Sequence, residues 1–189
     1  MDTDERASMP TRKQDTAEEP LDSSRRARVA LATLRVGVGL MWVQNAGWKR
    51  PPHFGADGDP VSGLRKFTGY AVEHPVFPPY AWVVDNVVLP HFTIFGWLVL
   101  LAEASIGAFL LVGLGTRLWA VIGLLQSLAI TLSVLNAPHE WHWSYFLMLL
   151  AHGALWATAA GRAFGLDGAL RPHWRRSPGR LAAILMRLS

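Results

Sequence analysis

Four stretches of about twenty residues each, at 27–47, 92–113, 116–136 and 143–161, are almost wholly apolar. As α-helices rising about 1.5 Å per residue, each matches a hydrocarbon core about 30 Å thick. A soluble core cannot use four such runs in a chain of 189 residues. The chain is 51% hydrophobic and 17% charged, and its polar residues gather in the tails and one long loop. The expectation is an all-α, integral membrane four-helix bundle that makes a multi-pass protein of the cell membrane.

The connections constrain the bundle further. Gly113-Leu114-Gly115-Thr116-Arg117 is so short a link that spans two and three must be antiparallel neighbours, and 136–142 does the same for spans three and four. The segment 48–91 is too long for a turn and is rich in proline and aromatic residues. Within it, 61–73 has Leu64, Phe67 and Tyr70 on one side, and 80–89 is apolar but too short to span. Both are expected to be interfacial helices of the first extracytoplasmic loop, capping one mouth, with a fifth, broken span as the alternative.

Residues 1–26 hold little that can be buried and read as a disordered cytoplasmic tail, too long and acidic for the start of a signal peptide. Residues 27–170 form the membrane domain, and 171–189 a basic amphipathic cytoplasmic tail. Arg25, Arg26, Arg28, Arg117, Arg162, Arg171, Arg175, Arg176 and Arg180 fall on one side of a four-span arrangement, which places both termini in the cytoplasm. Lys49, Arg50, Arg65 and Lys66 dissent, diluted by Asp57, Asp59, Glu73 and Asp85. The net charge of +4 is membrane-flanking charge directed at the lipid bilayer, not at nucleic acid. The absence of cysteine excludes disulfide chemistry, iron–sulfur clusters and covalent haem attachment.

Chemistry then rests on polar residues inside apolar runs. Arg35 falls roughly 12 Å from the cytoplasmic end of span one and Glu103 roughly 15 Å from that of span two, at about 1.5 Å per residue. A lone charge at that depth is costly, so an Arg35–Glu103 ion pair is expected. It reads equally as a helix latch or a functional group. Gln126 and His152 fall at similar depth, so each span contributes one polar group to a single layer. Such a layer suits a quinone headgroup, whose carbonyls need donors, or a proton relay through His152 and Glu103. The alternative is inert internal glue. Arg35, Glu103 and His152 are the candidate catalytic residues, and with Gln126 the candidate quinone-binding set.

At the outer mouth, Asn45, Lys49, His139 and His142 form a candidate substrate-side cluster among Trp48, Trp141, Trp143 and Tyr145, which also fit an aromatic belt. His139, Glu140 and His142 are too few and too close in sequence to close a metal site, and no metal is assigned. Gly37, Gly39, Gly96, Gly107 and Gly113 read as close helix packing.

Taken in order, Arg35, Gly39 and Gly47-Trp48-Lys49, Glu103 and Gly107, Leu111 to Arg117, Glu140 to Tyr145, Gly161-Arg162 and Gly165-Leu166-Asp167 resemble the DoxX superfamily, particularly the DoxD-type subunit of thiosulfate:quinone oxidoreductase. The resemblance covers residues 28–170. It implies a four-helix membrane protein linked to quinone and to oxidation of thiosulfate or another reduced sulfur compound. It also implies a soluble or membrane redox partner. A non-enzymatic scaffold that docks such a partner is the second reading, and a small transporter the third.

Overall fold

The structure is a computed structural model that describes residues 19–55, 63–177 and 179–189. Among them there are helices and no strands: α1 (Glu19–Gly47), α2 (Leu64–Glu73), α3 (Pro78–Val83), α4 (Phe92–Val112), α5 (Thr116–Val134), α6 (His142–Thr158), α7 (Leu166–Arg176) and α8 (Arg180–Leu188). A π-helical turn, Val84–Val88, continues α3, and a 3-10 turn, Ala160–Arg162, follows α6. α1 begins at Glu19, inside the stretch whose composition reads as tail; residues 1–18 lie outside the described residues. So does 56–62, which contains Asp57, Asp59 and Val61.

α1, α4 and α5 are long and apolar enough to cross a membrane. α6 has 17 residues and ends where Ala159 turns left-handed at φ 47°, short of the expected boundary at 161. The four long helices run alternately up and down. Gly39 sits against Gly107 and Leu111, while Lys49, further along α1, meets Glu103, earlier in α4; rising against falling numbers mean antiparallel helices. The tight turn from Gly113 to Gly115, both left-handed, reverses α4 into α5.

The bundle has an apolar core, as a soluble protein does, but its outer surface is apolar as well. Val38, Trp42, Ile106, Leu110, Ala120 and Leu155, drawn from all four helices, form the core. Met41, Leu101, Leu125 and Leu150 point outward and are exposed, while Arg35, Lys49, Glu103 and His152 are buried. Apolar surface outside and ionisable groups inside is what a hydrocarbon solvent selects.

The segment after α1 folds back as a cap. Phe54, Leu64 and Phe92 make one small core, and Tyr70 joins Val134, Ala137 and Tyr145 in another at the end of α5. Tyr80 donates from its hydroxyl to the carbonyl of Ala129 (3.2 Å) and lies 3.0 Å from Ser133 Oγ. Asn136 Nδ2 donates to the carbonyl of Pro75 at 3.1 Å. The cap therefore covers the mouth where α1 ends and α5 meets α6.

Candidate functional site

The register of α1 against α4 decides which polar groups meet. A methyl group added at Gly39 would lie 3.2 Å from the carbonyl oxygen of Gly107, and one at Gly107 would lie 3.2 Å from that of Gly39. The two backbones come close at a pair of glycines, where an added side chain would make contacts tighter than ordinary packing. From that crossing, α1 carries Arg35 toward one end and Lys49 toward the other.

Lys49, not Arg35, reaches Glu103. The chain turns just past α1, with the Lys49 amide donating to the Ala46 carbonyl at 3.2 Å, and the side chain folds back into the bundle. Its Nζ donates to Glu103 Oε2 and, at 2.9 Å, to the carbonyl of Asn45. Gln126 Nε2 donates to the other carboxylate oxygen, Oε1, at 3.2 Å. Lys49 is 4% exposed and Glu103 0%. The ammonium also lies 4.3 Å from the centre of the Trp48 ring, whose Nε1 donates to Asn45 Oδ1 at 3.1 Å. Two of the three Lys49 N–H donors are thus used among the described residues, and one is left for a further acceptor.

The expected Arg35–Glu103 pair is not formed. Arg35 Nη1 donates to the carbonyls of Leu110 and, at 2.9 Å, Leu111, at the last turn of α4. Leu110 lies about 10 Å further along α4 than Glu103 at about 1.5 Å per residue, so the two charges occupy different levels. Counting depth from span ends missed this, because the glycine crossing sets the register and the helix ends do not. Arg35 serves as a cationic cap on the α4 carbonyls. Across the turn, Asp167 does the complementary work: its Oδ1 accepts from the Gly115 amide (2.7 Å) and its Oδ2 from the Thr116 amide (2.9 Å), capping α5. The amide of Asp167 in turn donates to the Gly113 carbonyl at 2.8 Å.

His152 occupies a third level. A methyl group at Gly123 would collide with its ring, so α5 lacks a side chain where α6 inserts the imidazole. Trp42 Nε1 lies 2.8 Å from His152 Nε2, and His152 Nδ1 lies 2.7 Å from the Met148 carbonyl. An indole N–H only donates and a carbonyl only accepts, so Nε2 accepts and Nδ1 carries the proton. Both ring nitrogens are occupied, which leaves none for a proton relay to Glu103 in this state. The single polar layer is therefore three levels: Lys49–Glu103–Gln126, Trp42–His152 and Arg35 with the turn.

The substrate-side cluster is also redistributed. Lys49 is interior rather than at the surface. His139, left-handed at φ 67°, and His142, the first residue of α6, are exposed, while Glu140 accepts from the Tyr145 hydroxyl. No group of three or more His, Asp or Glu side chains that could hold a metal occurs among the described residues.

An all-helical membrane protein with an ammonium–carboxylate–amide centre between its helices is the class these observations define. The chain belongs to the DoxD family: the family model described as TQO small subunit DoxD matches residues 31–187. That stretch contains Arg35, Lys49, Glu103, Gln126, His152 and Asp167. No curated protein matches the chain, and no solved structure does.

Proposed function

We propose that the chain is the membrane subunit of a quinone-linked oxidoreductase that takes electrons from thiosulfate or another reduced sulfur compound. In this reading it crosses the bilayer four times with both termini cytoplasmic, and it binds a quinone headgroup at Lys49, Glu103 and Gln126. Membership of a family described as TQO small subunit supports the reaction class. The observation that carries the site is the burial of Lys49 against Glu103 inside a membrane domain, where ionisable side chains are rare and mark functional sites by default.

The residues fit such a headgroup. Lys49 has one N–H left to donate to a ring carbonyl, and Gln126 carries a second amide hydrogen. Trp48, half out of the bundle, offers an aromatic face beside the ammonium. When bound, a quinone accepts two electrons and two protons. Glu103 can hold a proton at Oε2 beside the Lys49 ammonium, while Gln126 keeps Oε1 oriented. Arg35 and His152 then act as supports: Arg35 fixes the end of α4, and His152 joins α1 to α6. Because the chain has no cysteine, the sulfur oxidation draws on a partner or on the small substrate itself, at the mouth near Asn45, His139 and His142.

The test is thiosulfate-dependent quinone reduction in native membranes carrying Glu103→Gln, Lys49→Met or, as a control on the outward face, Met41→Leu. The first two are expected to lose at least tenfold in rate per folded subunit, with rates normalised to subunit abundance, and the control to lose nothing. Full rates in both site variants would remove the centre from the reaction. The scaffold reading is favoured by the exposed Phe77, Trp82 and Trp141 around the cap. It predicts a co-purifying soluble protein that is lost when 64–88 is replaced.

A further inference from the structure

At the opposite end of the bundle from Lys49, the chain from 162 to 169 leaves a cleft of about 450 Å³ against the last turn of α4, lined by Arg28, Arg162, Val112, Phe164 and Leu166. Val112 is the final residue of α4. A membrane-spanning helix leaves the hydrocarbon there, so the cleft lies at the depth of lipid headgroups.

Its charge is one-sided. Partial desolvation pushes the Arg162 guanidinium below its ordinary value, Arg171, Arg117 and Arg175 push the same way, and Asp167 opposes them. The Asp167 carboxylate is fully buried and already shared between the Gly115 and Thr116 amides. Its charge offsets the cluster only in part, and both its oxygens are occupied by those amides. Concentrated like charge of this kind is stabilised by an anion from outside the chain.

The two guanidinium groups are held in place. Arg162 Nη2 donates to a main-chain oxygen of Ser189 at 3.0 Å, and Arg28 lies over the Phe164 ring at 4.9 Å. Each guanidinium has five donors, so most remain for an oxyanion. Phe164 is itself unusual. Its backbone is left-handed at φ 54°, a conformation costly for an aromatic residue, and its side chain is 61% exposed. Val112 and Leu166 are exposed beside it. A small soluble anion would satisfy the arginines and leave this apolar wall uncovered.

We propose that the cleft binds an anionic membrane phospholipid, its phosphate between Arg28 and Arg162 and an acyl chain along Phe164 and Val112. Such a lipid would join the first half of α1, at Arg28, to the segment that follows α6.

The test is native mass spectrometry of the delipidated full chain in detergent. It is titrated with dioleoylphosphatidylglycerol, with dioleoylphosphatidylcholine, and with inorganic phosphate as competitor. The wild type should bind the anionic lipid at least tenfold more tightly than the zwitterionic one. R28Q/R162Q should lose at least fivefold in that affinity, and R28K/R162K should keep most of it. R180Q/R187Q, which removes the same charge from α8, should be unaffected. Should R28Q/R162Q fail to fold, R28Q alone, at an exposed position, carries the same expectation. Equal affinity for the two lipids, no loss in the glutamine variants, or equal loss in the α8 control would overturn the proposal. Displacement of the anionic lipid by millimolar inorganic phosphate would also overturn it, since the site would then be one for a free anion.

Discussion

Lys49 shows how far a residue's role depends on what the fold does a few positions away. In sequence it follows a tryptophan at the end of an apolar run and reads as part of a substrate-side cluster at the outer mouth; in the fold it is one half of a buried ion pair. Removing only one partner strands the other's charge, so Glu103→Gln should cost about 3–5 kcal/mol of stability. Lys49→Met together with Glu103→Gln should restore most of that loss. Unfolding of the purified protein in detergent measures both, and a double variant as unstable as the sum of the singles would mean the two residues are not coupled. That Arg35, Glu103 and His152 are buried and Gln126 half-buried was legible from their isolation in apolar runs. Their partners were not. Pairing depends on register to within one turn, and although Gly39 and Gly107 read as packing glycines, the sequence does not say which glycine meets which.

At the scale of elements, the turn between α4 and α5 is bracketed by opposite charges. Arg35 takes the carbonyl end of α4 and Asp167 the amide end of α5, each matching the local dipole. Asp167→Ala should cost about 1.5–3 kcal/mol, the value of hydrogen bonds to a charged acceptor, and Asp167→Asn less. Thermal unfolding in detergent reads both changes; an unchanged midpoint for Asp167→Ala would contradict the capping role. Gly107→Leu tests the crossing by driving α1 from α4 at a cost of about 1–3 kcal/mol. It should weaken the Lys49–Glu103 contact as well. Three of the expected spans and the short turns were legible here because length and hydropathy carry them directly. The cap from Asp167 was not, since a carboxylate about fifty residues away in the chain leaves no local signal at the start of α5. The glycine readings divided by context: Gly39 and Gly107 do permit close packing, Gly113 provides a left-handed helix end, and nothing lies near Gly37.

Across the whole molecule, outward leucines, inward charges and a cap on one mouth describe a membrane domain with two chemically different ends. The arginine-rich end holds α7, α8 and the lipid cleft; the other holds the Lys49 centre beneath α2 and α3. The chain has no cysteine, so single cysteines report topology cleanly. Ser177→Cys should react with an impermeant maleimide only from the cytoplasmic side, and His139→Cys only from the outside. Both labelled from one side would break the four-span arrangement at α6, whose 17 residues make it the shortest of the four. The overall architecture could be read from the chain because lipid imposes it by length and polarity. The centre could be read only in part, as a set of buried polar residues without their connections.

Photolabelling with a short-chain azidoquinone, followed by peptide mapping, bears most directly on the proposed centre. Binding at Lys49–Glu103–Gln126 predicts label in the peptides holding Trp48–Lys49 or Glu103, suppressed by excess unlabelled quinone and absent from Lys49→Met/Glu103→Gln. Label confined to other helices, or undiminished in that double variant, would contradict it.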